Sequence, residues 1–333
     1  GLKPGRIHGC GCSCINLLQN YPEGCFANCS YCGLARERPG IAEENSFIRV
    51  DWPLFSTELI AGKIAEKEAE STVGRVCISQ VQDHRANDDL IEITRKVHTA
   101  APKVPLSGLV NATTMTVPFL EQLKEEGIDI IGYGLDAVTE ELFVKTRGKE
   151  ASGPHDWDYH WDMVRAARKI YGPMNVNCHL IVGLGETDHD LVDMFYKLKS
   201  EEIAGYLFSF NPEPGTTLQH QKRQPIKRHR RVQLAKYLIE EKNVDRDAFQ
   251  FDDNGFISSI ASEEELIQNT IDEGLPFMTN GCPDRDGIMA CNRPYGSYRP
   301  GEEYRDYPFK PTSDELNVIR EQMQLNGAIG NPV

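Results

Sequence analysis

Several things are scarce in this chain. No apolar run approaches the ~20 residues that span a bilayer, and the longest are interrupted by Gly, Asn or His. A membrane protein is not expected. Positive charge is short, with 36 Lys and Arg against 50 Asp and Glu and a formal net charge of −14. General affinity for nucleic acid is not expected either, because it needs a basic footprint. There is no internal repeat and no low-complexity segment. No signal-peptide pattern is read near Gly1, and the cytoplasm is the expected compartment.

What is present is an ordinary globular composition with one excess. The 333 residues are 40% apolar and 26% charged, as in an enzyme with a sizeable core. The excess is cysteine. Ten are present: Cys10, Cys12, Cys14, Cys25, Cys29, Cys32, Cys77, Cys178, Cys282 and Cys291. Disulfide scaffolds are usually small secreted domains, so clustered cysteines in a chain of this length point to metal.

Strand-like runs alternate with amphipathic helical ones. Residues 13–20, 75–81, 104–111, 129–136, 175–183 and 205–212 are rich in β-branched, aromatic or apolar residues, as strands are. Residues 52–70, 88–101, 116–127, 139–148, 158–172 and 186–202 carry apolar side chains at helical spacing. Such alternation means a parallel sheet, and six units make a partial (βα)6 TIM-like barrel. Gln80, Asn111, Asp136, Gly185, Glu186 and Asn211 fall at or just beyond the carboxyl ends of these strands, the edge where parallel barrels bind ligands. The expected organisation is an arm with the first strand (1–22), a core barrel (23–214) and a helical and loop-rich cap (215–333). Cys77 and Cys178, inside strands, read as small buried apolar residues.

The stretch "EGCFANCSYCGLARE" places Cys25, Cys29 and Cys32 in one loop directly after the first strand. A cubane iron–sulfur cluster normally takes four thiolates. Zinc is the rival, but zinc sites close their tetrahedron with a second Cys pair or His, and none follows Cys32 closely. "CFANCSYC" in this position resembles the signature loop of the radical S-adenosylmethionine superfamily. In that family three cysteines hold three irons of a [4Fe–4S] cluster, and S-adenosylmethionine chelates the fourth. Electron transfer from the cluster cleaves the sulfonium and releases a 5′-deoxyadenosyl radical that abstracts hydrogen.

The resemblance implies further contacts. Tyr31 lies near the adenine. "HLIVGLGETDHD" (179–190) resembles the family's fifth-strand motif beside the nucleoside, with Gly183, Gly185 and Glu186; read alone, it is a strand-to-helix connection capped by Thr187. Asp136 is a candidate for a ribose hydroxyl and Arg147 for the methionine carboxylate, which suits a guanidinium fork. Each can equally be an ordinary surface polar residue. Ser79, Gln80 and Asn111 are further candidates, although the family's common Gly-Gly-Glu is not found at the end of the second strand.

The terminal cysteines bear on the subfamily. Cys12 and Cys14 lie on one face of an extended segment, and with Cys282 and Cys291 they make four ligands for a second [4Fe–4S] cluster at the open mouth of the barrel. Cys10 and Ser297 are spare or exchangeable ligands, and a structural zinc joining the termini is the alternative. "CSCINLL", "CGLARERPG", "FSFNPEPG" and "CNRPYG" look similar to a biotin-synthase-like branch and, within it, to the first subunit of the two-component lipoyl synthases. That resemblance implies sulfur insertion into an octanoyl chain on a lipoyl carrier protein, a second radical subunit as partner, and a ferredoxin- or flavodoxin-like electron donor. A mutase or methyltransferase with a structural or electron-relay second site is the alternative enzyme, and a non-catalytic zinc scaffold the alternative class. Finally, "KRQPIKRHRR" (222–231) holds six Lys or Arg in ten positions, partly in the first turn of a helix where cations are disfavoured. A carrier-docking patch is the expectation there, against a solvated helix face.

Overall fold

The computed structural model describes residues 13–40, 52–292 and 304–323. Cys10, Cys12 and Ser297 lie outside the described residues.

Six strands form one sheet in the order of the chain: β1 (Cys14–Leu18), β2 (Arg75–Ser79), β3 (Leu106–Val110), β4 (Ile128–Asp136), β5 (Val176–Val182) and β6 (Ala204–Ser209). Every neighbouring pair is parallel. Helices α1 (Thr57–Ala69), α2 (Ala86–Ala100), α3 (Val117–Glu125), α4 (Glu140–Thr146), α5 (Trp157–Tyr171) and α6 (Asp188–Ser200) occupy the crossovers. Strands in sequential order, each returned by a helical crossover, make the curved half-barrel expected from the alternation. All six expected strands and all six helical segments are found.

Period-two alternation assigns the faces. Val76, Ile78, Leu106, Ile131, Tyr133, Val176, Cys178 and Leu180 are buried in the core under the helices. Arg75, Cys77, Ser79, Ser107 and Asn177 alternate with them and face the lumen. Full burial of side chains such as Tyr133, Phe143 and Phe195 stabilises this layer by about 1.5–3 kcal/mol each. Helix starts are fixed by side-chain caps at Ser56, Thr116, Thr139, Asp156 and Thr187, the last in a reciprocal box with Asp190.

Beyond β6 the chain forms α7 (Ile226–Glu240), a two-stranded antiparallel ribbon of β7 (Phe249–Phe251) and β8 (Ile257–Ile260), α8 (Glu264–Glu273) and α9 (Ser313–Met323). Sequence reading did not separate the ribbon, whose strands have three and four residues. The basic run is not a free patch. Arg230 is fully buried. It donates to Gln322 Oε1 (2.9 Å), Gln233 Oε1 (2.8 Å) and the carbonyls of Arg305 (2.6 Å) and Tyr304. Arg228 bonds Glu186 Oε1 (2.9 Å) and Asp188 Oδ1 (2.8 Å), and Arg231 donates to the Ile257 carbonyl at 3.3 Å. The docking expectation for these three arginines is therefore corrected. The cations at the start of α7 are drawn inward by acceptors of the cap and of the β5–α6 turn, and so escape the unfavourable exposed arrangement.

Candidate active site

The loop after β1 is built by its own short hydrogen bonds and by anchors to the barrel. Cys32 N–H donates to the Cys29 carbonyl (3.0 Å), Phe26 N–H to Gln82 (2.8 Å) and Ser30 N–H to Thr146 (2.7 Å). Asn28 Nδ2 holds the Ala151 carbonyl at 2.8 Å. The loop thus bridges β2 and α4 across the carboxyl edge of the sheet.

Two thiols of the triplet meet backbone donors: Gln82 N–H lies 3.3 Å from Cys25 Sγ and Leu34 N–H 3.4 Å from Cys32 Sγ. Burial raises all three thiols, Cys29 to about 12, and the nearby Arg147 guanidinium acts the other way on Cys25 and Cys29. Burial therefore keeps these sulfurs protonated in the protein alone, whereas coordination to iron deprotonates a thiol outright. Among the described residues no three His, Cys, Asp or Glu side chains converge on one metal ion. A cubane instead gives each thiolate its own iron, which suits sulfurs spread along one loop.

Beside the triplet lies a network joining three of the candidate residues. Tyr31 Oη donates to Asp136 Oδ2 (2.5 Å), and Arg147 Nη1 donates to the same oxygen (2.7 Å) and to the Gly134 carbonyl. Asp136 has φ +62°, a left-handed conformation at the strand end that Asp tolerates better than most residues. Arg147 is 3% exposed, and its Nε is buried with no hydrogen-bond partner among the described residues. A spare guanidinium donor here fits a carboxylate. Sequence reading gave Asp136 and Arg147 separate tasks; the structure couples them, with Tyr31, as one unit.

The remaining candidates divide. Ser79 Oγ is buried without a partner among the described residues and faces the lumen. Gln80 is engaged at Asn87 Oδ1 (2.7 Å) and at the Asn111 N–H (3.0 Å), tying the ends of β2 and β3 together. Gly183 and Gly185 have φ +111° and +139°, open only to glycine at low cost. Glu186 is corrected as a ligand-facing group. It is 4% exposed, and its carboxylate accepts the N–H groups of Gly183 (2.8 Å), Leu184 (2.9 Å) and Gly185 (3.1 Å) while pairing with Arg228. Its work is to shape the turn.

The other described cysteines are not at this edge. Cys282 Sγ accepts from Asn177 Nδ2 (3.8 Å) and Tyr206 Oη (3.8 Å). These residues stand in the amino halves of β5 and β6. The next carbonyl, Pro283, accepts from Arg75 Nε at 2.5 Å, and Arg75 opens β2. The tail cysteines therefore enter the lumen from the amino end, opposite the triplet. The expectation that they meet at the open carboxyl mouth is corrected: the return after α8 runs to the other end of the strands. Cys14, the first residue of β1, belongs to the same end. Cys178 is buried in the helical core as expected, but Cys77 is half-buried on the lumen face and close to Cys282. Sequence reading missed it, although its alternation with Val76 and Ile78 carried the signal.

A parallel half-barrel carries three half-buried thiols in the loop after its first strand, at the carboxyl edge of the sheet. The chain belongs to the radical SAM superfamily, whose family model matches residues 20–198. Its members use a [4Fe–4S] cluster and S-adenosylmethionine. An uncharacterized protein of Methanocaldococcus jannaschii is 28% identical over 59% of this chain and 49% of its own length. Biotin synthases of Sulfurihydrogenibium and Persephonella marina are 23% and 24% identical over 62% and 63% of this chain, and 57% of each relative is covered. The chain thus spans about half the length of the curated relatives it matches. Among solved structures, methylornithine synthase superposes with TM-score 0.53 at 12% identity, covering 98% of this chain and 85% of that one. The FeFe-hydrogenase maturase HydG of Carboxydothermus hydrogenoformans gives 0.50 at 15% identity, over 95% and 67%. The likenesses to solved structures show the fold, and within the superfamily the chain is similar to biotin synthases. No helix among the described residues is long and apolar enough to cross a membrane.

Proposed function

We propose that this chain inserts sulfur into the octanoyl arm of a lipoyl carrier protein, with Cys25, Cys29 and Cys32 holding the radical-generating [4Fe–4S] cluster and a second [4Fe–4S] cluster supplying sulfur. The observation that carries the reading is the second thiol group. Cys14, Cys282 and Cys291 lie at the amino end of the barrel whose carboxyl end holds the triplet. A substrate carbon in the lumen between them has a hydrogen-abstracting site on one side and a sulfur source on the other. Cys12 was expected in this group and lies outside the described residues.

Cys25, Cys29 and Cys32 would hold the first cluster, which would supply the electron for reductive cleavage of S-adenosylmethionine. The residues of the chain set the geometry. Arg147, fixed by Asp136 and Gly134, offers its spare Nε donor to the methionine carboxylate. Tyr31, fixed by Asp136, presents its ring beside the nucleoside, and the backbone at Gly183 and Gly185 allows close approach. Ser79, whose hydroxyl has no partner among the described residues, is the candidate for the amino group, and the ends of β2 and β3 joined through Gln80 and Asn111 border the same space. A second radical subunit, a ferredoxin- or flavodoxin-like donor and the octanoylated carrier are the partners of this reading.

The test is an anaerobic turnover of an octanoylated peptide with the reconstituted chain, with and without a second radical subunit, read by mass. Sulfur added to the peptide is the expected result. Formation of 5′-deoxyadenosine with no sulfur added under any of these conditions favours another biotin-synthase-like chemistry, such as a mutase or methyltransferase, with the second site as a structural or electron-relay centre.

A further inference from the structure

The amino end of the lumen contains more sulfur than the terminal cysteines alone provide. In the parallel register of β1 and β2, Cys14 pairs with Arg75 and Asn16 with Cys77. Cys14 and Cys77 therefore stand on the same face of adjacent strands, one pleat repeat apart along the sheet. The loop 282–291 brings two more. Cys282 carbonyl accepts the N–H groups of Ala290 (3.2 Å) and Cys291 (3.1 Å), which holds the two cysteines side by side. Gly281 makes this approach possible, since a Cβ there would lie 1.7 Å from the Cys291 carbonyl oxygen. Asp284 closes the turn by accepting the N–H groups of Asp286 and Ile288, each at 2.9 Å. The loop is held against β2 by Arg75, which bonds Pro283 and forks onto Asp129 at 2.5 and 3.0 Å.

The four sulfurs share one end of the lumen. Cys14 pairs in register with Arg75, two residues from Cys77, and Arg75 bonds the Pro283 carbonyl next to Cys282. A second observation points to a bound group. Asn177 Oδ1 and Ser107 Oγ, on the lumen faces of β5 and β3, are buried with no hydrogen-bond partner among the described residues. Asn177 is 2% exposed, and its other amide atom already addresses Cys282. Unpaired buried polar atoms around a thiol group cost free energy unless something in the site engages them.

We infer that Cys77 is a ligand of the second metal site, completing with Cys14, Cys282 and Cys291 a four-thiolate set for a cubane in the amino half of the lumen. The inference rests on the reading that the chain carries a second iron–sulfur cluster, and it changes which residues hold it. Four thiolates suffice for such a cluster, so Cys12 is not a required ligand. Asn177 and Tyr206, donating toward Cys282, orient and tune that sulfur, as hydrogen bonds to cluster thiolates do. The Arg75 guanidinium offsets the negative charge of the set.

The test isolates the second site. In a chain carrying Cys25→Ala, Cys29→Ala and Cys32→Ala, anaerobic reconstitution reports that site alone through iron content, visible absorption and the electron paramagnetic resonance signal of the reduced protein. About four irons per chain are expected there. Adding Cys77→Ala should lower the iron content to three or fewer and change the resonance signal, whereas adding Cys12→Ala should leave both unchanged. Unaltered iron and signal with Cys77→Ala overturn the assignment of Cys77. Absence of any iron–sulfur absorption in the triple variant itself, with its thermal unfolding intact, overturns the second-cluster reading instead.

Discussion

The two ends of the barrel use cysteine in opposite ways. At the carboxyl edge, Cys25, Cys29 and Cys32 come from one loop, and neighbouring elements only hold that loop in place. At the amino end, Cys14, Cys77, Cys282 and Cys291 come from two adjacent strands and a distant tail. Each end has a buried arginine paired with an aspartate, Arg147 with Asp136 and Arg75 with Asp129. The first keeps a donor without a partner among the described residues; the second is a clamp on the loop that carries two of the thiols. A contiguous motif keeps its spacing wherever the fold places it, whereas a dispersed one exists only once the sheet has formed.

The sharpest way to break this comparison is to delete one sulfur from each end. Cys29→Ala should reduce S-adenosylmethionine cleavage to background under strong reduction. Cys291→Ala should preserve that cleavage and stop sulfur transfer. Equal loss of 5′-deoxyadenosine in both variants would mean that the two ends are not functionally separate.

A smaller effect is expected from the clamp. Arg75→Ala removes hydrogen bonds to Asp129 and Pro283 from a nearly fully buried guanidinium, a loss of about 3 kcal/mol for charged hydrogen bonds together. Denaturant unfolding should show that loss, and the second site should become labile to chelators while the first keeps its iron. Equal chelator sensitivity at both sites would contradict the division of labour.

The three-cysteine loop was legible because it is contiguous, and the six strands because parallel strands flanked by helices keep an apolar period. The end of the barrel reached by Cys282 was not legible, since the direction of a long return is a property of packing and not of spacing. Cys77 was misread because a cysteine within a strand resembles core until register shows which face it occupies; Cys178, on the other face, was read correctly. Glu186 was read with the nucleoside motif and the arginines of α7 as a docking patch; instead Arg228 pairs with Glu186, while Arg230 and Arg231 bond acceptors of the cap. The β7–β8 ribbon is too short to show a period.

The carboxyl half should also be the more acid-labile. Burial and the Arg147 charge hold His155 down to about 2, and the same causes hold His160 well below its ordinary value. Both are neutral in the fold and take up a proton on unfolding. Their contribution is therefore complete above the unfolded value near 6.5 and declines as pH falls, by about 1.4 kcal/mol per unit for each histidine. His160 packs edge-on against Tyr133 and Phe143, and both its ring nitrogens are buried without partners among the described residues. His160→Phe should lower the slope of stability against pH between 6 and 5 by about that amount. An unchanged slope in urea unfolding would show that this histidine is not neutral in the folded chain.

The most direct measurement of the central claim follows the sulfur itself. The chain is reconstituted with heavy-isotope sulfide, freed of excess sulfide, and allowed one turnover on an octanoylated carrier together with the second radical subunit. The account predicts heavy sulfur in the product from the wild-type chain, and none when Cys282 and Cys291 are both alanine although 5′-deoxyadenosine still forms. Product that carries only light sulfur, or heavy sulfur transferred equally well without those two cysteines, would contradict it.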